Sequence, residues 1–83
     1  MVSERRKHLR VRVDIPATEV WGQGLERVSA LILDQSQNGV QVRLDVDERI
    51  ASECYILFRH RMEPCRLVWQ ASRSAGLVFR DAS

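Results

Sequence analysis

The stretch RVSALILDQSQNGVQVRL, Arg27 to Leu44, holds two different apolar runs around one polar break. From Val28 to Leu33 nearly every position is apolar, as in a strand covered on both sides. Beyond the break, Val40, Val42 and Leu44 alternate with Gln41, Arg43 and Asp45, the period of a strand with one wet face. Between them Asp34-Gln35-Ser36-Gln37-Asn38-Gly39 is rich in residues that hydrogen-bond their own backbone or accept positive φ, and Asn38-Gly39 is a hairpin signal by itself. The stretch therefore predicts two strands joined by a polar loop of six residues.

The same grammar extends outward. Val11, Val13 and Ile15 alternate with Arg10, Arg12 and Asp14, giving a first strand that resumes after Pro16 as far as Trp21, where Gly22-Gln23-Gly24 makes a turn. Asp45 to Ser52 reads as an irregular link with room for one helical turn. Cys54 to Met62 and Cys65 to Ala71 read as a second hairpin around Glu63-Pro64, and Leu77 to Phe79 begins a last strand after the Ser72-Arg73-Ser74 turn. No long helix, internal repeat or low-complexity tract interrupts this pattern. The expectation is all-β: a six-stranded antiparallel barrel, because closure removes the exposed edges of a flat sheet. It forms one domain over 1–83, with a flexible basic arm at 1–10, the barrel at 11–80 and little or no C-terminal helix.

With 83 residues, 45% of them hydrophobic and 29% charged, the chain has the composition of a small globular domain. The formal net charge is only +2, yet Arg5, Arg6, Lys7, Arg10 and Arg12 precede or open the first strand while most acids fall between Asp14 and Asp47. Such a distribution suits a local anion site on a near-neutral body, and a small anionic ligand more than a polymer. Single-stranded nucleic acid is further disfavoured by an aromatic content of 6%. No apolar run has the length of a membrane span, and no apolar signal-peptide core follows the N-terminal charges, so the expected location is cytoplasmic. Cys54 and Cys65 lack metal-ligand spacing and read as buried thiols. His8 and His60 are far apart and Ser36 has no base beside it, so the expectation is a protein that is not an enzyme.

Two polar elements carry the candidate chemistry. Asp34 and Ser36, two apart in an extended segment, offer a carboxylate and a hydroxyl from one face, and Gly39 leaves room for a flat ligand. Arg6 and Arg10, four apart, can bracket an anion, and each guanidinium can donate two parallel bonds to O6 and N7 of guanine. Taken singly, the loop is explained as a turn and the arm as a solvated tail. Taken together, with the arm folded over the barrel mouth, the arginines reach guanine and phosphate while Asp34 accepts from N1–H and the exocyclic amine. A ligand with two guanines and two phosphates uses all of these groups.

The pairing of Arg6-Lys7-His8-Leu9-Arg10 with Asp34-Gln35-Ser36-Gln37-Asn38-Gly39 resembles the PilZ domain, whose signatures are an RxxxR arm and a D/N-x-S-x-x-G loop. The resemblance extends through Glu4-Arg5-Arg6, the VDIPA of Val13 to Ala17, and CRLVWQASRSAGLVFRD from Cys65 to Asp81. It implies a bacterial, non-enzymatic receptor for cyclic di-GMP, with no other cofactor and with an unidentified downstream protein as partner. Arg6 and Arg10 match the arm positions that clamp guanine and phosphate; Asp34, Ser36 and Gly39 match the loop positions that hold the base. Arg5, a long basic residue just before the first arm arginine, implies an intercalated ligand dimer, two nucleotides per chain. Trp69 stands where an aromatic near the site often occurs, although its simpler reading is barrel core. The alternative is an adaptor PilZ domain that works through protein contacts without ligand. Many PilZ domains end in a helix packed on the barrel; only Arg80 to Ser83 follow the last strand here, which leaves open what covers that end.

Overall fold

A computed structural model of the protein describes residues 11–80. Six strands follow one another: β1 (Val11–Trp21), β2 (Glu26–Gln35), β3 (Gly39–Leu44), β4 (Glu53–Phe58), β5 (Arg61–Ala71) and β6 (Ser74–Phe79). All neighbouring pairs are antiparallel, and the order β1-β2-β3-β6-β5-β4 closes on itself as a barrel. No helix occurs among the described residues, so the link after β3 contains no helical turn. That link is instead tied down by Gln70: its Oε1 accepts from Ile50 N–H at 3.0 Å and its Nε2 donates to the Glu48 carbonyl at 2.7 Å.

The core follows from the alternation. Val40, Val42 and Leu44 of β3 point inward with Ile32 of β2, Ile56 and Cys54 of β4 and Cys65 of β5, all essentially without solvent exposure. Glu19 points inward with them. It is 0% exposed, lies opposite Ile56 and Val28, and neither carboxyl oxygen has a hydrogen-bond partner among the described residues. Burial pushes its carboxyl up from 4.5 to about 8, offset only in part by the nearby Cys54 thiol. Both thiols are free. Burial, reinforced by the Glu19 charge, raises Cys54 and pushes Cys65 up to about 12, which leaves them inert at neutral pH.

Two turns differ from the sequence expectation. The β4–β5 hairpin turns at Arg59-His60 and not at Glu63-Pro64, which lie within β5. Pro64 tolerates the strand because its carbonyl accepts from Arg80 N–H, so its missing N–H faces the same side, where β6 has already ended at Phe79. Arg59 and His60 carry the turn with φ of 48° and 62°, in the left-handed region that glycine or asparagine normally supplies. Conversely, Asn38-Gly39 turns the chain without positive φ at either residue, and strand pairing on both sides shortens the polar loop to Ser36-Gln37-Asn38. The last strand begins at Ser74, three residues earlier than its apolar run suggests.

Barrel closure rests on a short seam. β1 and β4 share only Thr18↔Leu57, Glu19↔Ile56 and Val20↔Tyr55. Beyond Thr18↔Leu57 the seam has little strand to extend along, because β4 ends one residue later at Phe58.

Candidate functional site

Ladder registers define a row of side chains across the outer wall. Arg12 lies opposite Asp34, Asp34 opposite Gln41, Gln41 opposite Gly76, and Gly76 opposite Trp69. Gln41 sits between the inward Val40 and Val42 and must point out, and directly opposed residues of an antiparallel pair share a face. The whole row is therefore external.

Three register shifts accompany this row, one in β1 between Arg12 and Ile15, one in β2 and one in β5. Ile32 faces the core, so strict alternation would also turn Asp34 inward; between these residues β2 carries one extra residue, Leu33, against β3, and Asp34 emerges on the outside. The same device recurs in β5. Leu67 packs toward the core opposite Leu77, Val68 is the extra residue, and Trp69 is delivered outward, 42% exposed. Trp69 is thus not a core residue. Its indole lies against Gly76, where a Cβ would stand 2.2 Å from the indole nitrogen.

The other loop positions have local work. Ser36 N–H donates to the Gly39 carbonyl at 2.9 Å, and Ser36 Oγ accepts from Asn38 N–H at 3.3 Å, so Ser36 closes the hairpin. The Asn38 carbonyl accepts from Phe79 N–H at 2.7 Å, which ties the loop to β6. At Gly39 a Cβ would sit 2.1 Å from the Leu77 carbonyl oxygen: the space left by the missing side chain is filled by β6 backbone and not open to a ligand. Ser36, Gly39, Trp69 and Gly76 nevertheless line one depression of about 210 Å³, and Asp34 lies along the shared row beside it. A second hollow of about 390 Å³, with Val11 and Val13 in its wall, meets the first at Ser36.

Of the residues singled out from sequence, Asp34, Ser36, Gly39 and Trp69 come together. Arg5, Arg6 and Arg10 lie outside the described residues. Their point of attachment does not: Val11, the residue bonded to Arg10, lies opposite Gln35, between Asp34 and Ser36 in sequence. Arg12, Gln41 and Gly76 were not among the residues singled out. The alternation of β3 already turned Gln41 outward, but only the register reveals its neighbours. No group of three or more His, Cys, Asp or Glu side chains suited to a metal ion occurs among the described residues, and they include no helix long and apolar enough to cross a membrane.

The closed six-stranded antiparallel barrel matches the fold of a PilZ domain. One similar solved structure is the PilZ domain of CeSA from a cellulose-synthesizing bacterium, with a TM-score of 0.70 and 14% identity, covering 90% of this chain and 83% of that one. No protein-family model matches the chain, and no curated protein matches it.

Proposed function

We infer that the protein is a cytoplasmic, non-enzymatic receptor for cyclic di-GMP. The observation that carries this reading is the register of Val11: the residue bonded to Arg10 lies opposite Gln35, beside the outward Asp34. In this reading Arg6 and Arg10 grip guanine and phosphate, and Asp34 accepts from the N1–H and amine edge. Trp69 supplies a stacking face, while Ser36 and Gly39 keep the loop in shape beneath the ligand. Arg5 recruits a second nucleotide. Binding orders the arm on the wall, which changes the surface offered to a downstream protein.

Titration calorimetry with cyclic di-GMP, using GTP and cyclic AMP as controls, tests the reading. Arg6→Ala and Arg10→Ala each lose on the order of 2 kcal/mol of affinity or more while the fold survives. Wild-type affinity in both variants refutes it. The adaptor reading predicts no thermal shift on adding ligand, where a receptor gains stability by mass action.

A further inference from the structure

A second concave surface, of about 760 Å³, lies over the β1–β4 seam. Its floor is another register row, Ser29 opposite Thr18, Thr18 opposite Leu57 and Leu57 opposite Met62. Thr18 flanks the inward Glu19 and Leu57 lies between buried Ile56 and Phe58, so the row faces out. Leu57 is half-buried and Met62 is 63% exposed, an apolar middle with nothing over it among the described residues.

The ends of this groove carry opposite charge. At the Ser29 end stands Asp45, exposed and lining the groove, whose N–H donates to the Ser29 carbonyl at 2.9 Å. At the Met62 end stands the hairpin tip Arg59-His60-Arg61. Arg61 is engaged with Glu63 and lies over the Phe58 ring at 5.3 Å; Arg59 and His60 have no acidic partner among the described residues. Three strand spacings separate the ends, roughly 14 Å. The tip also holds its two non-glycine residues in left-handed backbone, a local strain that Asn-Gly would relieve.

We propose that this groove is the interface of a two-fold homodimer. A groove that is acidic at one end, apolar in the middle and basic at the other is complementary to itself after a half-turn. The rotation sets Arg59 and His60 of each copy against Asp45 of the other, and it covers Leu57 and Met62 near the axis. The interface uses β1, β4 and the start of β5, so the row from Arg12 to Trp69 stays open on both copies. The proposal stands independently of what that row binds.

Sedimentation velocity on the full chain tests it. The wild type is a dimer whose dissociation constant rises with salt. Arg59→Glu and Asp45→Arg, both at exposed positions, each weaken dimerisation about tenfold or more, because each sets like charges together at both ends. An equimolar mixture of the two variants reassociates, since every contact then joins an acid to a base. Circular dichroism confirms that each variant is folded. A wild type that stays monomeric up to its solubility limit, a dimer indifferent to both reversals, or a mixture of folded variants that does not reassociate overturns the proposal.

Discussion

Glu19 and Asp34 are carboxylates on adjacent strands of one barrel, and they end on opposite sides of its wall. Glu19 sits in a regular stretch of β1, paired in register with β2 and β4, and alternation carries it into the core, where its oxygens find no partner. Asp34 would share that fate but for the extra residue at Leu33. The contrast teaches that a barrel wall sorts side chains by backbone parity and not by polarity, and that one added residue reverses the sorting.

The inside of this comparison breaks most easily with pH. With its folded value raised to about 8 against 4.5, Glu19 binds its proton more tightly in the folded chain, so its contribution to stability is complete below pH 4.5 and is lost as pH rises through about 8. At about 1.36 kcal/mol per unit, the loss is on the order of 5 kcal/mol. Melting temperatures from pH 5 to 9, on scales set by that shift, should fall steeply for the wild type and stay nearly level for Glu19→Gln. Equal slopes would mean that water reaches the carboxylate.

The outside is expected to break through backbone contact. Gly39→Ala drives a methyl group into the Leu77 carbonyl and should cost about 2–3 kcal/mol in urea unfolding, as overpacking does. A neutral result would show that β3 and β6 can part. At the β4–β5 tip the sign reverses: Arg59→Asn combined with His60→Gly removes left-handed strain and should stabilise the monomer by about 1–2 kcal/mol in guanidinium titrations at low protein concentration. The smallest effect is expected at Gly76→Ala, about 1 kcal/mol, because the side chain in the way is the exposed indole of Trp69, which can swing aside. Its signature is a shifted Trp69 emission with little change in unfolding midpoint.

Much of the fold was legible because period-2 alternation in Val11–Ile15 and Val40–Leu44 needs no tertiary information. Turn chemistry was a poorer guide. Pro64 reads as punctuation yet lies in a strand beyond the reach of β6, while Arg59-His60 bears no turn residue and makes the turn. Of the site, the convergence of Asp34, Ser36 and Gly39 was readable from their spacing. Trp69 entered only through the resemblance, and its outward place and the row it completes were not readable, since bulges at Leu33 and Val68 depend on the register of neighbouring strands and leave no local mark on the sequence.

The three-pair contact between β1 and β4 makes the barrel weakest along one line. Fluctuations that unzip a cylinder start where the fewest bonds must break, so amides of Thr18 to Val20 and Tyr55 to Leu57 should exchange deuterium before those of β2 and β3. Because Glu19 is the middle residue of that line, each opening lets solvent reach its carboxyl group, and alkali thereby acts as a wedge at the joint that closes the cylinder.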